Sequence, residues 1–183
     1  SFACGRQLVE AMGGLRAPPL PGWRLRILDG NHLAATERRL GALWGVAAGP
    51  LPGLALVAFD VAAMMMSDVI LCEDGHASER SLTAEILALV GAGDCWIADR
   101  NFCTYEILFG LLDRRAAFVI RQHGGMEGEA VGPRLARGRC ETGEVFEQAL
   151  ELASGDKARV VRRVTVVLVA PTRDGDREVH MLM

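Results

Sequence analysis

Two stretches decide how this chain is read: Trp23-Arg-Leu-Arg-Ile-Leu-Asp-Gly-Asn-His32 and Asp94-Cys-Trp-Ile-Ala-Asp-Arg-Asn-Phe102. In each, a short apolar run leads straight into an aspartate, Asp29 in the first and Asp99 in the second. The first run alternates Trp23, Leu25 and Ile27 with Arg24 and Arg26, which is the period of a strand over 23–28 with one buried face. The second, 94–99, is continuously apolar between its two aspartates, as in a strand buried on both faces. Carboxylates at the carboxyl ends of strands in an open α/β sheet face the crevice where such folds bind ligands. Two of them arriving there point to a divalent-metal site.

The flanking elements follow from periodicity and breakers. A helix is expected around Gly5 to Met12, before Gly13-Gly14 and the structure-breaking Ala17-Pro-Pro-Leu-Pro-Gly22. Residues 34–53 form a connection ending in Gly49-Pro-Leu-Pro-Gly53, and the apolar runs Leu54 to Asp60 and Met64 to Cys72 suit a hairpin. A helix follows over 77–90, capped by Ser78 and stopped by Gly91 and Gly93. Beyond the 94–99 strand come a helix over 104–115 and a strand over 116–121. A hairpin followed by βαβ units implies a mixed sheet with helices packed on it.

After His123 the texture changes. Gly124-Gly125, Gly128 and Gly132-Pro133 mark loops, 144–153 reads as a short helix, 158–170 as a valine-rich strand, 172–176 as a turn and 178–183 as a further strand. The organisation expected is a lead-in segment over 1–22, a core over 23–123 and a β-rich insertion over 124–183.

Half of the 183 residues are hydrophobic, so the chain can bury a core of its own. The net charge of −3 carries no global basic signature of a nucleic-acid binder. Arginines nevertheless cluster in the second half: Arg114, Arg115 and Arg121, then Arg134, Arg137 and Arg139, then Arg159, Arg162 and Arg163, beside a single lysine, Lys157. The five cysteines show no paired metal spacing, which fits a reducing cytoplasm. No run reaches the ~18 apolar residues that span a bilayer, so no membrane is expected.

If the first strand and the first parallel strand after the helix are neighbours, Asp29 and Asp99 converge although 70 positions separate them. Carboxylates at such a point suit Mg²⁺ or Mn²⁺. Two such ions about 4 Å apart stabilise the entering and leaving oxygens of a phosphoryl displacement. Arg100 and Asn101 after Asp99 supply a cation and an amide for phosphate, and in Gly30-Asn31-His32 the glycine admits a close approach of backbone to substrate. Aspartates at strand ends also serve as helix caps and turn formers. Met64, Met65 and Met66 read as core, and Cys103 has no histidine paired with it in its run.

The segments Ile27-Leu-Asp-Gly-Asn-His-Leu33, Thr36-Glu-Arg-Arg-Leu40, Leu51-Pro-Gly53, Glu73-Asp-Gly-His-Ala-Ser-Glu-Arg80, Trp96-Ile-Ala-Asp-Arg-Asn-Phe-Cys103 and Phe118-Val-Ile-Arg-Gln-His123 resemble the DDE transposases of bacterial insertion sequences. The resemblance covers about residues 24–123. It implies an α/β, ribonuclease H-like mixed sheet with flanking helices and a β-rich insertion. It also implies a DNA transposase that cuts and joins transposon ends on double-stranded DNA with two Mg²⁺ (or Mn²⁺) ions, in the cytoplasm and as a homodimer when assembled on DNA. Asp29 and Asp99 would be the first two catalytic, metal-binding acids, with Arg100, Asn101, His32, Arg121, Arg162 and Arg163 meeting DNA.

The family's third acid is a glutamate on a later helix, preceded by Tyr-x-x-Arg and followed by lysine, and this stretch has no counterpart in the chain. Tyr105 has Leu108 where the arginine would stand. The third acid is therefore expected beyond Met183, and the fragment alone is expected to be inactive. The rival readings are a non-catalytic DNA-binding remnant and another ribonuclease H-like nuclease completed by a local acid such as Glu79.

Overall fold

The computed structural model describes residues 2–32, 54–72 and 78–183. Residues 33–53 and 73–77 lie outside the described residues, and with them the expected connection over 34–53 and the first part of Glu73-Asp-Gly-His-Ala-Ser-Glu-Arg80. The element order is α1 (Phe2–Ala11), β1 (Arg24–His32), β2 (Leu54–Asp60), β3 (Met65–Cys72), α2 (Thr83–Ala88), β4 (Asp94–Ala98), α3 (Tyr105–Asp113) and β5 (Ala117–Arg121). Four long or edge-paired strands follow: β6 (Glu129–Cys140), β7 (Gly143–Ser154), β8 (Lys157–Leu168) and β9 (Glu178–Leu182).

The nine strands of the described residues form one mixed sheet in the order β3-β2-β1-β4-β5-β9-β8-β7-β6. β1, β2 and β3 are antiparallel, β4 and β5 run parallel to β1, and β9 returns antiparallel to β5. The helices that follow β3 and β4 make this parallel pairing possible, because parallel neighbours need a crossover. Ser78 accepts a hydrogen bond from Arg80 N at the start of a 3₁₀ turn over Glu79–Leu82 that leads into α2, and Thr104 caps α3 through Ile107 N.

The core lies on one face of the sheet. Leu28, Leu54, Leu56, Trp96, Phe118 and Ile120 pack there against Ile86 and Leu87 of α2 and Ile107, Leu108 and Leu111 of α3. Leu150, Leu152, Val161 and Leu182 join the same cluster, so β7, β8 and β9 extend the core rather than hang from it.

Three expectations are corrected. First, β1 does not bury the Trp23, Leu25 and Ile27 face alone: Leu25 is buried, but Ile27 is 38 % exposed, while Arg26 and Leu28 on the other face are 2 % and 5 % exposed. Arg26 tolerates burial because Leu89 O and Ser67 Oγ accept from it at 2.8 and 2.7 Å, Asp68 pairs with it, and Trp96 lies under its guanidinium. Second, residues 144–153 are not a helix but the middle of β7. Val145, Phe146, Ala149 and Leu150 fit a helical stripe, yet twelve-residue pairing with β8 satisfies the backbone and turns Leu150 and Leu152 into the core. Third, Gly132-Pro133 lies within β6, where the register slips between Val131 and Leu135. A proline is tolerated at such a bulge on an edge strand, since no ladder donor is lost.

Candidate functional site

Asp29 stands inside β1, not after it, because β1 continues to His32 along β2 while its pairing with β4 ends earlier. Along β1 and β4 the partners are Arg24 with Asp94, Leu25 with Cys95, Arg26 with Trp96 and Ile27 with Ile97. The offset is constant over these pairs, and Asp29 and Asp99 each follow by two positions the last of them, Ile27 with Ile97, where the β1–β4 pairing stops. Side chains alternate along a strand, so both aspartates share the face of Ile27 and Ile97, opposite the helix-packed core. Had the Ile27 face been the buried one, Asp29 would have been carried under the helices with it. Instead both aspartates are exposed.

Asp99 has extended backbone (φ −79°, ψ −178°), and its Oδ1 accepts from Asn101 N at 2.9 Å, capping a 3₁₀ turn over Arg100–Phe102. The capping role that aspartates often play is thus realised with one carboxylate oxygen, and the second remains for another partner. Arg100 and Asn101 are exposed beside it. Arg80 Nε donates to Asn101 O at 3.0 Å and ties the start of the α2 segment to the Asp99 turn. The Glu79 carboxylate next to Arg80 lies against Gly30, where a Cβ would fall 1.7 Å from Oε1. Glu79 is therefore close to β1, but at Gly30, whose pleat faces with Leu28 and not with Asp29, and among the described residues no three Asp, Glu, His or Cys side chains are arranged to hold a metal ion.

β4 and β5 continue the same geometry. Ala98 pairs with Ile120, so Arg121 and Asp99 each stand one position further, and Arg121 pairs in turn with Met181 of β9. Met181 lies opposite Val164 of β8. Counted from the last pairs, Asp29, Asp99 and Arg121 thus fall at equivalent positions along β1, β4 and β5 and on the same side of the pleat. Arg121 is ion-paired to Asp176 at 3.0 Å, a residue in the 172–176 turn that sequence pattern marks only as a turn.

The remaining residues divide by pleat. Arg162 and Met183 exchange backbone hydrogen bonds, both at 2.8 Å, which sets Arg162 on the Asp29–Asp99 face. Its neighbour Arg163 points the other way, donating to Gln148 Oε1 at 2.7 Å. Arg162 and Arg163, both expected to meet DNA, thus stand on opposite faces of β8. The backbone of His32 pairs with Leu54, and its side chain lies outside what is described. Cys103 is buried, and burial pushes its thiol above the usual range, against a nucleophilic role.

No protein-family model matches the chain, and no curated protein matches it. Among the described residues no helix is long and apolar enough to cross a membrane.

Proposed function

We propose that this chain is the metal-dependent catalytic domain of a DNA transposase, with β3-β2-β1-β4-β5 as a ribonuclease H-like core and β6 to β9 as an insertion that widens its sheet. The observation that carries the reading is that the adjacent parallel strands β1 and β4 pair up to Ile27 and Ile97 and each carries an exposed aspartate, Asp29 and Asp99, two positions further on. Neighbouring strands are about 4.8 Å apart, a spacing suited to two carboxylates that share hydrated ions. The donor set is all oxygen, which fits Mg²⁺ or Mn²⁺ in place of softer metals. Asp29 and Asp99 would hold the ions, which supply Lewis-acid stabilisation of the phosphoryl group under attack. Arg121 and the exposed Arg100 would neutralise phosphate charge beside them.

The test is a Mn²⁺ titration followed by paramagnetic broadening of backbone amides. Broadening should centre on the residues around 29 and 99 and disappear in Asp29→Asn and Asp99→Asn, whose folds should persist because both side chains are exposed. Broadening centred elsewhere, or surviving both substitutions, would remove the reading. A non-catalytic DNA-binding remnant is the second reading, favoured by the missing three-residue group among the described residues. It predicts retained DNA binding with no localised Mn²⁺ effect.

A further inference from the structure

We propose that Asp176 occupies Arg121 as an internal substitute for a phosphate group, so that a cation on the aspartate face of the sheet is held closed until a phosphate-ester anion displaces the carboxylate. The inference rests on the DNA reading above and adds to it a competitor built into the chain.

Three features lead to it. Arg121 stands at the position along β5 equivalent to Asp29 on β1 and Asp99 on β4, on the same side of the pleat, and it is the basic member of the three. Its partner is presented by a braced turn: Thr172 N donates to Asp176 O at 2.9 Å, Asp176 N to Thr172 Oγ1 at 3.0 Å, and Gly175 N to Thr172 O at 2.9 Å. Gly175 takes φ +89°, a conformation that favours glycine, so the turn closes tightly. Every one of these bonds uses backbone of residues 175 and 176, leaving the Asp176 carboxylate to engage Arg121 alone.

The pair is also open to exchange. The side chains of Arg121 and Asp176 are 35 % and 44 % exposed, so water and solutes reach both. An ion pair of that kind contributes little, whereas a guanidinium binds phosphate through two parallel hydrogen bonds with more charge on the acceptor. A phosphate ester bound by Arg121 through both guanidinium nitrogens would displace the carboxylate. Once released, Asp176 would repel a second anion and so limit occupancy to one phosphate at this point.

The test uses the whole 183-residue chain as wild type, Asp176→Asn, Arg121→Gln and the double variant. Asp176→Asn keeps the turn, because the turn's hydrogen bonds are made by backbone atoms and Thr172. The first readout is the Arg121 Nε–H resonance during titration with inorganic phosphate. The half-saturating phosphate concentration should fall about two- to fivefold in Asp176→Asn, the range set by an exposed ion pair. Equal response in the two proteins, or none in either, overturns the proposal.

The second readout is binding of a random-sequence duplex as a function of salt. Asp176→Asn should bind more tightly by a similar factor and steepen the log-log slope by about one, as expected for one added phosphate contact. Both gains should vanish in the double variant. Gains that persist without Arg121 would arise from net charge alone and would overturn the proposal. A phosphate response that behaves as expected, in proteins none of which binds duplex DNA, would uphold the Asp176 and Arg121 relationship and remove the transposase reading instead.

Discussion

The carboxylate of Glu79 fills the space above Gly30: a Cβ built there would fall 1.7 Å from Oε1 and 2.6 Å from Cδ. The obstructing atoms are the far end of a flexible side chain. Gly30→Ala should therefore be accommodated by a turn of Glu79, and the strand gains about 0.5 to 1 kcal/mol from the lost glycine entropy. We expect an unfolding free energy from urea titration within about 1 kcal/mol of wild type.

The same substitution separates two descriptions of the site. If Asp29 and Asp99 alone hold Mn²⁺, Gly30→Ala and Glu79→Gln should both leave the localised broadening in place. Loss of broadening in both would make Glu79 the local third acid and remove the transposase assignment in favour of another nuclease.

Arg26 gives the largest expected stability effect. It is buried among Leu89 O, Ser67 Oγ and Asp68, lies 3.6 Å from Asp94, and stacks 4.3 Å from the centre of the Trp96 ring. Removing a buried ion-pair member leaves its partners without compensation and costs about 3 to 5 kcal/mol. Arg26→Ala should lower the unfolding free energy by that amount, read as a lower denaturant midpoint at unchanged slope. A loss below about 1 kcal/mol would mean that Asp94 and Leu89 O find solvent.

Asp60 sets an acid-side dependence. Its burial pushes the carboxyl upward, but the Ala63 N–H and the guanidiniums of Arg24 and Arg6 outweigh this and hold it below the ordinary value. A carboxyl lowered in the folded state stabilises the protein above its unfolded pKa of about 3.9, and that contribution is lost as pH falls through the folded value. Asp60→Asn should therefore be less stable than wild type at pH 7, with the two converging below about pH 4. A constant gap across the range, followed by equilibrium unfolding at a series of pH values, would contradict this.

Much of this arrangement was legible in the sequence, for identifiable reasons. β2, β3, β4 and β5 are short apolar runs between strong breakers, and α3 has both its stripe and its Thr104 cap, so local signals agree with the fold. The inward face of β1 was not legible, because the partners that make Arg26 burial tolerable come from Ser67, Asp68 and Leu89, distant in sequence. β7 was misread for a similar reason: its strand state is set by β8 and β6, while its own residues carry a helical stripe. At the site, the aspartates announce themselves by position, but the pairing of Arg121 with Asp176 spans 55 positions and has no motif.

The arginines of β8 offer the sharpest separation of surface from site. Arg162 is exposed on the Asp29–Asp99 face beside Met183, with Nη2 2.9 Å from the Met183 sulfur, whereas Arg163 is bonded to Gln148 on the opposite face. A groove that follows the aspartate face can reach only the first. Arg162→Gln should weaken duplex binding and flatten its log-log salt slope by about 0.9, the contribution of one phosphate contact. Arg163→Gln should leave that slope unchanged and lower stability modestly, because it breaks a partly buried hydrogen bond worth about 1 kcal/mol. Equal slopes for wild type and Arg162→Gln would return Arg162 to ordinary solvated surface, and a flattened slope for Arg163→Gln would place the DNA on the helix-packed face of the insertion instead.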